Sequence, residues 1–194
     1  LMENEIVLDE KQRLKLLDTV DKLEQDTEYQ ADRQFFDIFF SRTPSEENGF
    51  KGFDYDKLCA MVLFFAHKNS ELLKTKLMKL LNYSDMIFYK ENGISISGLK
   101  YAHLPYGPVP DNFDMVLGKM AADHLAHIEV VYDGAYEKHQ VIPECDIPEG
   151  VLSDTETEVL NRIYEKFKNF GSVEISDYSH KERGYKATKT GQII

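Results

Sequence analysis

The side chains best suited to chemistry form two pairs rich in histidine. His180 and Glu182 stand two residues apart, a spacing that could serve a general base and its orienting carboxylate, or two ligands of one metal ion. His124 and His127 lie three apart near the expected end of a helix and could ligate a metal from one face. Neither pair has a fixed third ligand. His180 has a structural alternative, a buried imidazole hydrogen-bonded at a helix end, with Glu182 as a possible partner.

Established catalytic motifs are absent from the sequence. It contains no His-Glu-x-x-His helix, no Gly-x-Ser-x-Gly elbow, no Walker loop and no Gly-x-Gly-x-x-Gly turn. Cys59 and Cys145 are far apart, which suits two thiols in a reducing cytosol better than a disulfide or a zinc site. We therefore predict no catalytic residues, no metal and no cofactor, and a metal-dependent hydrolase is the least favoured reading.

A rigid turn is predicted over residues 105–110, which read Pro-Tyr-Gly-Pro-Val-Pro. Three prolines and a glycine in six residues predict a fixed turn with no regular structure. Such a turn is already ordered in the free protein, so it loses little conformational entropy on binding, and this favours affinity. The alternative is that the turn only redirects the chain and packs Tyr106 and Val109 in the core. Gly107 would supply close approach or a positive φ angle.

Helical periodicity dominates the rest of the chain. An amphipathic helix is predicted over 9–26, with an apolar stripe that includes Leu14, Leu17, Val20 and Leu23. A second helical stretch over 27–41 is rich in phenylalanine, namely Phe35, Phe36, Phe39 and Phe40, which could form core or a partner surface. Residues 43–49 then form a break typical of a linker.

Five further helices are expected after this break, with strands between them. The expected helices cover 53–67, 72–92, 112–124, 153–170 and 173–179, the third capped by Asp111 and the fourth by a Ser153/Glu156 capping box. Residues 94–104 could include a strand. Residues 128–132 and 137–142 flank Asp133-Gly134, a hairpin signal.

These elements predict a predominantly helical α+β fold. We expect a compact helical domain with a small β-hairpin or sheet over 50–194, preceded by an N-terminal helical arm and linker over 1–49. The arm could pair two chains into a homodimer. Its apolar spacing covers only about two heptads, which is short for a coiled coil.

Net charge and hydropathy limit the classes of partner that the chain could bind. The net charge is −11. Residues 1–56 carry fifteen acidic and seven basic side chains, a net of −8, and the remaining 138 carry nineteen and sixteen, a net of −3. Nucleic-acid binding needs excess Lys and Arg, so we predict none by this chain alone. The acidity suits a solvated surface or a basic partner. Without a membrane-length apolar run or a secretory leader pattern, we predict a cytoplasmic protein with no membrane partner.

Three segments together resemble the Panacea domain of SocA-like antitoxins. Residues 76–83 read Lys-Leu-Met-Lys-Leu-Leu-Asn-Tyr and are similar to the family's Lys-Leu-x-Lys-Leu-Leu-Tyr-Tyr helix. Residues 99–101 followed by 106–110 are similar to its Tyr-Gly-Pro-Val turn. Residues 179–188 resemble its Ser/Thr-His-x-Glu ending, with Tyr185 where tryptophan is common. The resemblance covers about 54–194; Asn82 in place of a tyrosine and the lack of any tryptophan are departures from the family pattern.

The resemblance implies a prokaryotic, phage-associated antitoxin that neutralises a cognate protein toxin by direct binding. It also implies two alternatives, a partner-sensing domain of a transcriptional regulator and a proteolytic adaptor for the toxin. In the first, a DNA-binding module lies upstream, and residues 1–49 are the end of a missing N-terminal domain. The predicted partner-binding residues are Tyr101, Tyr106, Gly107, Pro108, Val109, Pro110, His180, Glu182 and Tyr185.

Overall fold

The computed structural model describes residues 10–194. Residues 1–9 lie outside the described set, as do some side chains of the first helix, including that of Phe35. The chain divides into two units, with the boundary between Phe40 and Ser41. Each unit is considered by itself.

The first unit contains one helix, α1 (Glu10–Phe39). The sequence predicted two adjoining helices that meet near Thr27, and this was wrong. Thr27 lies within the continuous helix, and its hydroxyl donates to the Leu23 carbonyl four residues earlier at 2.7 Å. The predicted apolar stripe is exposed, with Leu14 and Leu23 at 64% and 60%. Phe36 and Phe40 are buried, with ring centroids 6.1 Å apart.

The second unit is built around α3 (Lys74–Asn92), which packs against α2 (Tyr55–Lys68), α5 (Asp154–Phe167) and α6 (Ser172–Ser179). Nine consecutive residues of α2, 58–66, are buried, so this helix lies inside the core. Tyr83 of α3 stacks on Phe167 of α5 with centroids 4.7 Å apart. The predicted capping box at Ser153 and Glu156 opens α5 and is confirmed.

Two antiparallel hairpins complete the described part of this unit. The first pairs β1 (Tyr101–Leu104) with β2 (Gly107–Pro110), and the second pairs β3 (Ala126–Asp133) with β4 (Tyr136–Pro143). The predicted hairpin around Asp133-Gly134 is confirmed as β3–β4. Together with the helices, these hairpins confirm the predominantly helical α+β fold.

The expectation that residues 105–110 lack regular structure was wrong. Gly107–Pro110 form a strand, and only Pro105 and Tyr106 form the turn. Pro108 and Pro110 face His103 and Tyr101 in the register. The backbone of His103 bonds instead to residues 191 and 192, and the Tyr101 carbonyl accepts from the Ile194 N–H. The two prolines therefore occupy positions where β1 needs no N–H from β2.

Two short helices differ from expectation. α4 (Phe113–Ala122) begins after Asn112, which adopts a positive φ of 53°, and not after the predicted cap Asp111. The Asp111 N–H donates to the Lys100 carbonyl at 2.8 Å, so Asp111 continues the pairing of the β1–β2 hairpin. α7 (Arg183–Ala187) lies beyond the last helix that the sequence predicted, 173–179. Within the described residues, every helix is too short or too polar to cross a bilayer.

Candidate partner-binding site

The β1–β2 hairpin is anchored at its base by a buried carboxylate, Asp85 of α3. Its oxygens accept the backbone N–H groups of Ile96 and Ser97, both at 2.8 Å. The hydroxyls of Tyr101 and Ser97 also donate to it, at 2.7 and 2.5 Å. Burial raises the pKa of Asp85, although the donors oppose that shift. Tyr101, a predicted partner residue, is thus buried and holds β1 on α3.

The C-terminal segment 191–194 holds the other edge of β1. The His103 N–H donates to the Gln192 carbonyl at 2.8 Å, and the Ile194 N–H donates to the Tyr101 carbonyl at 2.9 Å. Gly191 completes the set by donating to the His103 carbonyl at 2.8 Å. β1 therefore lies between β2 and this segment, with both edges paired.

Tyr185 of α7 clamps the hairpin from the side. Its ring stacks between the imidazoles of His103 and His180, with centroid separations of 3.7 and 4.6 Å. Its hydroxyl donates to the Leu104 carbonyl at 2.8 Å. The rings of His103, Tyr185 and His180 therefore form one stack that fixes the end of β1.

His180 and Glu182 do not form the pair that their spacing allowed. The Nε2 atom of His180 is buried and has no hydrogen-bond partner among the described residues. Glu182 lies near the Tyr83 hydroxyl instead, at 3.5 Å. The arrangement supplies neither an oriented base nor two converging ligands.

The second histidine pair converges on a surface carboxylate. His127 Nδ1 lies 2.6 Å from Glu144 Oε1, and His124 Nδ1 lies 3.7 Å from Glu144 Oε2. In the part of the chain that the structure describes, no three His, Cys, Asp or Glu side chains are placed to hold a metal ion.

Two cavities lie beside the hairpin. The first, here the Tyr185 cavity, encloses about 330 Å³ and is lined by Tyr101, Pro108, Glu182 and Tyr185, among others. The second, here the Tyr106 groove, encloses about 590 Å³. Its lining includes Met78, Lys79, Tyr106, Val109, Pro110, Phe113 and Met115.

The nine predicted partner residues lie in this hairpin or beside it, and they differ in solvent exposure. Tyr106 is 75% exposed at the turn. Val109 is half-buried, and Gly107, Pro108 and Pro110 are buried. His180, Glu182 and Tyr185 are half-buried. Tyr106 is thus the member of the set with most surface for a partner, and the buried members position it.

Lys79 was not assigned a role from the sequence, yet it lines the Tyr106 groove. It is fully buried, and its ammonium nitrogen has no hydrogen-bond partner among the described residues. Burial lowers the pKa of Lys79 to about 8. A signal was present in the sequence, because Lys76, Lys79 and Tyr83 follow one helix face at spacings of three and four.

A protein-family model described as antitoxin SocA-like, Panacea domain, matches residues 77–185. The matched range runs from α3 to α7 and contains both hairpins. No curated protein and no solved structure matches the chain.

Proposed function

The chain belongs to the SocA-like Panacea family of antitoxins, and we propose that it neutralises a protein toxin by binding it directly at the β1–β2 hairpin. The observation that carries this proposal is Tyr106, a large aromatic side chain left 75% exposed at the turn of a firmly held hairpin. Tyrosine is enriched among the residues that dominate binding energies. The proposed role involves binding alone, with no catalytic step.

The rigidity of the hairpin supports this role. Asp85, the segment 191–194 and Tyr185 each bond to β1. A turn held in this way loses little conformational entropy when a partner binds. These anchors support the proposal that a preformed turn favours binding.

The surface beside Tyr106 suits a protein partner. The Tyr106 groove provides Met78, Val109 and Met115 as apolar and adaptable contacts. The chain's net charge of −11 favours approach by a basic toxin. We place this encounter in the cytoplasm, where the free thiols Cys59 and Cys145 are kept reduced.

We also propose that residues 50–194 form the antitoxin domain and that residues 1–49 form an arm and linker. The exposed stripe of α1, including Leu14, Leu17 and Leu23, is the predicted homodimer contact. Sedimentation of the unmodified chain and of the Leu17→Glu variant would test this homodimer contact. An equal mass for the two proteins would contradict a dimer formed through the arm.

The direct test is co-expression with the small reading frame beside the gene, in a host that the small protein alone poisons. We expect the chain to restore growth and to co-purify with the toxin. Tyr106→Ala should weaken toxin binding by roughly 30-fold, the effect of losing a binding hot spot.

Tyr132→Ala is the matched control, since Tyr132 is 72% exposed on the other hairpin. It should bind toxin like the unmodified chain. If folded Tyr106→Ala neutralises and co-purifies as well as this control, the proposed role of the hairpin is wrong. If the unmodified, folded chain neither rescues growth nor co-purifies, toxin neutralisation by direct binding is wrong.

A further inference from the structure

The strands of this fold differ in how their outer edges are protected, and an edge with unpaired backbone groups attracts other extended chains. β1 pairs along its outer edge with the segment 191–194, and two of the four residues of β2 are prolines, which have no N–H. β4 is met by the Leu72 carbonyl, which accepts from the Val141 N–H, and by a bridge between Leu73 and Gln140. In the part of the chain that the structure describes, the outer edge of β3 has no such partner.

The bond from Val141 establishes which backbone groups of β3 point outward. Along an antiparallel pair, residues that bond to the partner strand alternate with residues whose N–H and C=O groups point away from it. The Val141 N–H points away from β3, to Leu72, and Ile128 lies directly opposite Val141 in the register. Ile128, Val130 and Tyr132 therefore direct their N–H and C=O groups to the open edge of β3.

The side chains of β3 also suit pairing with a further strand. Residues 126–133 read Ala-His-Ile-Glu-Val-Val-Tyr-Asp, without the lysine or proline that often protects an edge strand. Ile128, Val130 and Tyr132 share one face of β3. Ile128 is half-buried, whereas Val130 and Tyr132 are 45% and 72% exposed, so this apolar face continues beyond the core.

Symmetry and charge select one way to pair β3 with β3 of a second copy. The outward groups of both strands face each other when the two-fold axis passes through Glu129 or through Val130, and these registers use most of the strand, residues 126–132 or 127–133. The register centred on Glu129 places this carboxylate opposite its own copy, and like charges directly opposite destabilise a sheet. Charge therefore favours the register centred on Val130.

The favoured register is complementary on both faces of the strand. On the apolar face, Val130 lies opposite Val130 of the second copy, and Ile128 lies opposite Tyr132. Branched and aromatic pairs of this kind stabilise sheets. On the other face, His127 lies opposite Asp133, whose carboxylate can accept a hydrogen bond from the imidazole.

We propose that two copies of this chain pair through the open edge of β3, antiparallel and centred on Val130, so that their β3–β4 hairpins join into one sheet. Backbone hydrogen bonds at Ile128, Val130 and Tyr132 hold the contact. The inference does not depend on the proposed function, because the contact involves neither a toxin nor the β1–β2 hairpin. It also differs from the dimer contact proposed for the arm, since Leu17 takes no part in it.

Disulfide trapping in the full chain tests the contact and its register. In the Val130→Cys variant, the two new thiols lie opposite each other, and the Cα–Cα distance of about 5.5 Å in such a pair allows a disulfide. Glu129→Cys is the matched control, because residue 129 lies diagonally from its own copy, at about 7–8 Å, which is too far for a disulfide. The unmodified chain, with its free Cys59 and Cys145, measures background crosslinking.

We expect oxidation to convert Val130→Cys into a covalent dimer, and to leave Glu129→Cys and the unmodified chain without crosslinks. Val130 is 45% exposed, so its substitution should leave the fold intact. Crosslinking of Glu129→Cys to the same or a greater extent would overturn the proposed contact. So would the absence of crosslinks in folded Val130→Cys at millimolar concentration.

Sedimentation measures the strength of the contact without a covalent link. The parent chain carries Leu17→Glu, which removes pairing through the arm. Adding Val130→Lys places two ammonium groups opposite each other and should raise the dimer dissociation constant roughly tenfold. His139→Lys is the matched control on the other strand of the hairpin, directly opposite Val130, and should leave the constant unchanged. A monomeric parent chain at millimolar concentration, or equal constants for the two lysine variants, would overturn the inference.

Discussion

The β1–β2 and β3–β4 hairpins are both two-stranded and antiparallel, and both expose tyrosine near the turn. They are held in different ways. The strands of β3–β4 are eight residues long, twice the length of those in β1–β2. Ala126 and Val141 bury the base of the long hairpin, whereas Tyr132 and Tyr136 near its turn are 72% and 77% exposed. The exposed end of this hairpin is therefore held by the pairing of β3 with β4.

The short hairpin depends on contacts from outside its strands. Four-residue strands offer few ladder bonds, and an isolated pair of this kind is marginal in water. Asp85, the segment 191–194 and Tyr185 supply further bonds to β1, at its base, along its outer edge and next to the turn. The comparison teaches that an exposed tyrosine can stand at the far end of a long hairpin, beyond the 2.8 Å backbone bond from the Val141 N–H to the Leu72 carbonyl, or on a short hairpin held by the core up to its turn. The second kind suits tight binding.

The largest expected effect comes from removing the anchor of the short hairpin. Asp85→Ala should lower the free energy of unfolding by about 4 kcal/mol, because two buried N–H groups and two hydroxyls lose their acceptor. Asp133→Ala, which breaks an exposed pair with Lys138 in the other hairpin, should cause no measurable change. Urea unfolding measures both. Equal losses would erase the contrast between the hairpins.

The next effect has the opposite sign. Lys79→Met should raise the free energy of unfolding by about 3 kcal/mol at pH 7, since it removes a buried cation that has no acceptor. The folded pKa of about 8 is below the ordinary 10.5, so the unfolded chain binds more protons between these values. The stability of the unmodified chain should therefore rise with pH across this window.

Denaturation of both proteins between pH 7 and pH 10.5 checks this prediction. The advantage of the variant should be full below pH 8 and lost near pH 10.5. Lys76 and Tyr83 titrate in both proteins and cancel in the difference. A pH-independent gap would mean that the lysine amine is not the cause.

The smallest effect separates one glycine from each hairpin, Gly107 at the start of β2 and Gly134 in the turn between β3 and β4. Gly107→Ala should cost about 2 kcal/mol, because φ is +99° and the new Cβ would lie 2.3 Å from Ser179 Oγ. Gly134→Ala meets nothing within 4 Å at φ +63°, so only the backbone strain of about 1 kcal/mol remains. Thermal unfolding compares them. A larger loss at Gly134 would contradict the tighter packing assigned to the short hairpin.

Local sequence signals predicted much of the fold. The Ser153/Glu156 capping box and the Asp133-Gly134 hairpin signal act within a few residues, so both could be predicted without the rest of the chain. The segments resembling the Panacea family also lie within the range that its model matches. The same local reasoning failed at Thr27, where the helix continues without a break, and at residues 107–110, which form a strand paired with β1.

In the candidate site, too, some features followed from the local sequence and others depended on the tertiary structure. The sequence by itself determined a turn rich in proline around Tyr106 and a helix bearing Lys76 and Lys79. Only the tertiary structure fixed the register in which Pro108 and Pro110 lie opposite His103 and Tyr101, at positions where β1 needs no N–H from β2, and paired the outer edge of β1 with residues 191–194. Only it decided that Lys76 finds an acceptor and Lys79 does not. Burial and pairing depend on neighbours far along the chain, and residue type alone does not specify them.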